Sequence, residues 1–148
     1  MSAITLAQAD QIATDTLKAG RGLKLAPLTV VVLDAGGHAV VVKREDGAGI
    51  MRVELATAKA WGALGMGFGG RELARRAQKM PGLFASLNAV SDGRMAPVAG
   101  SALLRDATGV VIGAIGVSGD TSDNDELALL PAVEASGLVA DTGGKDPV

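Results

Sequence analysis

The chain has 148 residues, with 14 Lys+Arg against 16 Asp+Glu and a formal net charge of −2. That length suits one domain with its own core, and near-neutral charge with only Trp61, Phe68 and Phe84 as aromatics argues against a nucleic-acid partner. The lack of cysteine and tyrosine and the single histidine, His38, exclude a disulfide framework, a Cys-ligated zinc or iron–sulfur centre and a three-His zinc site within one chain.

Thr5-Leu6-Ala7-Gln8 fits a capping box. Leu6, Ala9, Ile12, Ala13 and Leu17 follow at helical spacing, with Gly20 placed to end the helix. Before it, Met1 to Asp10 shows no basic n-region, and nowhere is there an apolar run of about 18 residues, so a cytoplasmic protein without signal peptide or membrane span is expected. Leu28 to Asp34 is a β-branched run of strand length; Ala35-Gly36-Gly37-His38 turns the chain, and Ala39 to Lys43 returns as the second strand of a hairpin. After the polar loop Arg44 to Gly49, the pattern from Ile50 to about Leu64 is helical, with Met51, Leu55, Ala58 and Ala63 on the inward side. A glycine-rich break from Gly62 to Gly70 leads into the basic amphipathic stretch Arg71 to Lys79. Pro81 then opens a further short helix.

Met95 to Val98, Ser101 to Arg105 and Val110 to Ser118 read as three strands, separated by turns at Ala99-Gly100 and Asp106-Ala107-Thr108-Gly109. Gly113 and Gly116 in the last of them mark close approach of backbone or ligand. Asp123 and Glu126 form a second candidate capping box before a helix through Ala135, which Pro131 should kink. The expected class is α+β, a mainly antiparallel sheet with helices packed on it. One domain spans residues 1–140, and 141–148 form a flexible tail. The abundance of alanine and glycine suits close contacts between subunits, which points to a homo-oligomer.

Gly65-Met66-Gly67-Phe68-Gly69-Gly70 matches the dinucleotide fingerprint as a string, but it follows a helical rather than a strand pattern and reads as an inter-helix connection. Gly116-Val117-Ser118-Gly119 lacks the spacing of a nucleophile elbow, so Ser118 and Gly119 read as a turn whose amides face a ligand or a helix. His38 sits in a turn, usually a solvated place; as the one strong nitrogen ligand in the chain it is also the first candidate for a haem iron. Asp34 ends one hairpin strand and Arg44 follows the other, which suggests a shared sheet end. With Asp46, and with Lys59 among small apolar residues, they form either structural ion pairs or an anion-binding group.

Three blocks in register carry a family resemblance: Val30 to His38 followed by Lys43 to Ala48; Ala56-Thr57-Ala58-Lys59-Ala60; and Gly109 to Gly119 followed by Asp125-Glu126. They resemble the GlcG/HbpS family, whose domains also occur at the C-terminus of PduO-type cobalamin adenosyltransferases. The resemblance covers most of residues 5–138. It implies a profilin-like α-β-α sandwich around a five-stranded sheet, a symmetric oligomer, and haem or a related tetrapyrrole as the small-molecule ligand. On that reading His38 is the iron ligand, Arg44 and Lys59 pair with propionates, and Gly116, Ser118 and Gly119 line the pocket. The competing reading is an enzyme acting on a small carboxylate or carbonyl compound, with Lys59 or Asp34 moving the proton and Arg44 clamping the anion. A module without ligand is the third. The chain departs from the family pattern at Ala99 and Ala102, where relatives carry a glycine and a proline, and at Asp120, where they carry a glycine. These changes bear on the pocket.

Overall fold

The structure, a computed structural model, describes residues 3–144. Helix α1 (Leu6–Gly22) starts where expected: the Gln8 amide donates to Thr5 Oγ1 (3.1 Å) while the Thr5 amide donates to Gln8 Oε1 (3.0 Å). It runs past Gly20. A Cβ there would lie 2.4 Å from Leu28 Cδ1, so this glycine makes room for a core side chain and does not end the helix.

Strands β1 (Thr29–Asp34) and β2 (Ala39–Arg44) form the expected hairpin. Helix α2 (Arg52–Met66) then turns a different face inward from the one its apolar spacing suggests. Ala56, Lys59, Ala60, Gly62 and Ala63 are buried, whereas Met51 is 71 % exposed. The cause is close packing. A Cβ on Gly116 would stand 2.0 Å from the Ala56 carbonyl oxygen, so small side chains fill the space where the helix crosses β4, Lys59 is the one long side chain of α2 that is buried, and Met51 turns outward.

Helices α3 (Gly70–Lys79) and α4 (Pro81–Val90) follow. The Gly65–Gly70 string does close one helix and open the next: Gly67 caps α2 with φ +77°, and a Cβ on Gly69 would fall 2.1 Å from the Thr142 carbonyl carbon. Met95–Val98, expected as a strand, stays outside the sheet. Pro97 has no N–H to give a ladder, the Ala96 amide donates to the Ala58 carbonyl (3.2 Å), and Met95 packs with Leu73 and Phe84.

Strands β3 (Ser101–Arg105) and β4 (Val111–Ser118) are as expected, and the fifth strand is β5 (Val139–Asp141), paired with β3. It takes in the first residue of the expected tail. Arg105 Nε donates to Asp141 Oδ2 (2.9 Å) and the Arg71 amide to the Thr142 carbonyl (3.0 Å); residues 145–148 lie outside the described range. Helix α5 (Ser122–Ala135) is capped by Thr121, whose hydroxyl accepts from the Asn124 amide (3.2 Å). Asp123 is therefore not the cap, and Glu126 pairs with Arg71 instead. Pro131 sits inside α5 on its exposed side, as does Leu127 one turn back, where water can bond the Leu127 carbonyl that the proline leaves free.

The sheet order is β2-β1-β4-β3-β5 with every neighbouring pair antiparallel. Helices α1 and α5 cover one face through Val30, Val32, Ile115, Val117 and Leu129; α2 covers the other through Val31, Leu33, Leu103 and Ala114. This is the expected α-β-α sandwich. Among the described residues no helix is long and apolar enough to cross a membrane.

Candidate functional site

The hairpin has two ends of different character. At its tip, Asp34 Oδ1 accepts from the amides of Gly36 and His38 (both 2.9 Å) and lies 3.2 Å from His38 Nδ1. The bond from the His38 amide is the chief reason the Asp34 carboxyl is held below its usual range, so it stays ionised at neutral pH. The His38 side chain is 80 % exposed. A carboxylate on Nδ1 favours the tautomer with its proton there, which leaves Nε2 with a free lone pair.

Trp61 of α2 backs this tip: a Cβ on Gly37 (φ +83°) would lie 3.3 Å from its indole ring. The Arg94 guanidinium stacks 4.2 Å over the same ring. From Trp61 an apolar groove of about 170 Å³ continues along Gly62, Gly65, Met66, Leu87, Val90 and Met95.

The other end is closed. Lys59 is 2 % exposed, and its Nζ donates to the Val117 carbonyl (2.8 Å) and to Asp125 Oδ2 (3.1 Å). The two charges come from opposite layers of the sandwich, and the ammonium reaches α5 past the start of β3. Gly100 makes that path possible. It has φ +109°, and a Cβ there would stand 2.8 Å from Nζ. Burial lowers the Lys59 pKa, Asp125 opposes that shift, and the nearby Arg52 adds to it. The other oxygen of Asp125 accepts from the Asp120 amide (2.9 Å).

Asp120 is a clamp. Its carboxylate accepts from the Ala26 amide (2.9 Å), the Thr121 amide (2.8 Å) and Asn124 Nδ2 (2.8 Å), and these bonds, the Ala26 one foremost, pull its pKa down to about 2. Beside it, Gly119 lets the turn pass the Pro27 carbonyl, which a Cβ would meet at 2.2 Å. On the α2 side, Thr29 pairs with Ser118 on one flank and with Arg44 on the other, and Arg52 Nη1 donates to Ser118 Oγ (3.1 Å).

The structure therefore splits the residues singled out from sequence. Arg44, Ser118 and Gly119 gather at the closed end. Asp34 and His38 are at the tip, and Gly116 lies under α2. Asp34 and Arg44 do not share a sheet end. Arg44 is opposite Thr29, five residues along β1 from Asp34, or about 16 Å at the usual rise per residue. Lys59, sealed inside, faces neither of them, so no common proton-transfer site joins Asp34, Arg44 and Lys59. Of the departures from the family pattern, Ala99 and Ala102 are buried and Asp120 forms the clamp just described.

Sequence reasoning missed Trp61, Arg94 and Arg52 as site residues and named Asp125 only within a motif. One signal was present: a lysine in an alanine-rich helix must find an acid if buried. Among the described residues no group of three or more His, Asp or Glu side chains is placed to hold a metal ion.

Residues 4–134 match the family described as haem degrading protein HbpS-like. An uncharacterized 15.0 kDa protein from the dhaT-dhaS intergenic region of Citrobacter freundii is 29 % identical over 137 residues, spanning 86 % of this chain and 95 % of that protein. The crystal structure of a PduOC:heme complex superposes with a TM-score of 0.85 at 26 % identity, covering 95 % of this chain and 99 % of that one. Klebsiella pneumoniae ORFY gives 0.82 at 30 % identity, with 92 % of each chain covered. HbpS gives 0.77 at 29 %, with 91 % of this chain and 90 % of that one.

Proposed function

The chain belongs to the HbpS-like family, and from that premise we propose that it binds a tetrapyrrole, with haem as the ligand, at the tip of the β1–β2 hairpin. The observation that carries this reading is the His38–Asp34 pair: an exposed imidazole whose Nδ1 is held by a carboxylate 3.2 Å away. That donor set fits an iron centre, because a carboxylate on the far nitrogen orients a ligating histidine and raises its basicity. Haem, if bound there, would supply an iron that such a nitrogen could coordinate. The likeness to the PduOC:heme complex supports the ligand class.

The partners for the rest of the ligand differ from those expected. Lys59 Nζ is taken up by Asp125 and the Val117 carbonyl, and Arg44 lies at the far end of the hairpin. Arg94, stacked on the Trp61 ring that backs the tip, takes the propionate role. Trp61 and the groove behind it supply apolar surface. The groove holds about 170 Å³, below the roughly 300–1,000 Å³ of an ordinary ligand pocket. A second copy of the chain, packed on the groove and on the exposed Val90, completes the enclosure in this reading.

Titrating the purified chain with haemin should produce a saturable Soret shift that His38→Ala abolishes and Asp34→Asn weakens. Light scattering on the same samples should report an assembly larger than a monomer. A spectrum equal to free haemin plus protein, or an undiminished shift in His38→Ala, would remove the assignment.

A further inference from the structure

The closed end of the hairpin holds an unmet demand for negative charge. Thr29 is fully buried, yet among the described residues its Oγ1 has no hydrogen-bond partner, a costly condition for a hydroxyl. By register it projects from the α2 side of the sheet, directly across from Ser118 and Arg44. Ser118 Oγ takes its hydrogen bond from Arg52, and among the described residues Arg52 forms no ion pair.

Arg52 is also the first residue of α2, a 15-residue helix with no side-chain cap. A cation in the first turn adds to the positive end of the helix dipole where an anion would offset it. Glu54 in the first turn offsets part of the dipole, but the acids nearby leave the Arg52 guanidinium without an ion pair among the described residues. Glu45 is engaged by Arg21 and the Leu28 amide. Asp46 is exposed and pairs with neither arginine. Glu54, exposed and two residues on, faces away from Arg52. Val42, two residues before Arg44 on the same face of the sheet, and Met51, next to Arg52 in the chain, are exposed apolar side chains.

We propose that Arg52, Thr29, Ser118 and the amino end of α2 form a binding site for a small organic carboxylate with an apolar body, with Arg44 at its rim. The carboxylate is held by the Arg52 guanidinium and the free first-turn amides, the Thr29 hydroxyl gains its missing partner, and the apolar body rests on Val42 and Met51. The site is separate from the hairpin tip and does not depend on haem.

The test is a titration of the full chain with sodium benzoate, followed by amide chemical shifts, with sodium phosphate and sodium chloride at matched ionic strength as controls. Benzoate should saturate and move the amides of Val53 and Glu54 while leaving that of His38 in place. Arg52→Gln should weaken binding about tenfold, as expected for loss of a charge-assisted pair. Thr29→Val supplies a second, independent reading. Removing an unpartnered hydroxyl should leave the melting temperature unchanged or higher while binding weakens by about threefold, the loss of one ordinary hydrogen bond. Haemin binding should persist in both variants. Shifts equal to those with chloride, tighter binding of phosphate than of benzoate, or unaltered benzoate affinity in Arg52→Gln would overturn the proposal.

Discussion

The two ends of the β1–β2 hairpin are built from the same strands and obey opposite rules. At the tip, Asp34 spends its carboxylate on the turn itself and on His38, every partner lies within four residues, and the imidazole stands in solvent. At the other end, Lys59, Asp125 and Arg52 bond to groups far away in sequence, Asp120 adds to its local bonds one to the Ala26 amide, and the linking ammonium is buried. Local hydrogen bonds can hold a reactive group outward at little cost to the fold. Long-range ones tie layers together, and their groups are not free to act on a ligand unless one of them lacks a partner, as Thr29 does.

Variants should separate the ends by the size of their effects. Lys59→Met leaves Asp125 as an uncompensated buried charge and should cost about 3–5 kcal/mol of unfolding free energy, measured by urea denaturation. Adding Asp125→Leu should recover only part of it, because the Asp120 amide then loses its acceptor. A loss under about 1 kcal/mol, the size of an exposed ion pair, would mean that the pair does not brace the layers.

The clamp at Asp120 should appear in acid. Its folded pKa lies near 2, against 3.8 ordinarily. A depressed carboxyl contributes stability above the unfolded value, and that contribution drains away as pH falls from 3.8 towards 2. Asp120→Asn should flatten the acid limb of stability over that window; identical limbs in the two proteins would assign the acid sensitivity elsewhere. The tip should give the smallest effect. His38→Ala removes an exposed side chain and should change the unfolding free energy by no more than about 0.5 kcal/mol, whatever it does to haemin. A larger loss would make His38 a structural residue and erase the contrast.

Much of the architecture was readable because it rests on short-range signals. The Thr5–Gln8 box, the β-branched run into Asp34, the glycine turn and the Pro81 start each specify local geometry without outside help. The errors fall where a distant partner overrides the local pattern. Gly20 looked like a helix end because Leu28 is out of sight in sequence. Met95–Val98 looked like a strand, but α2 takes its hydrogen bond and β5 takes the sheet edge. On α2 the apolar spacing places Ala63 inward correctly, but it also points Met51 inward, whereas the close approach at Gly116 leaves room there for small side chains.

The candidate sites divide in the same way. His38 stood out from composition, as the one histidine of a chain without cysteine or tyrosine, and its pairing with Asp34 is set within a single turn. Its wall of Trp61 and Arg94, the bond from Arg52 to Ser118, the orphaned Thr29 hydroxyl and the acid that receives Lys59 all come from strand register and layer packing. Helical spacing says which residues of one segment share a face; it says nothing of which segment that face will meet. Only when the sheet closes do Asp34 and Arg44 separate and Lys59 and Asp125 join, because contacts between elements are selected by how closely backbones can approach.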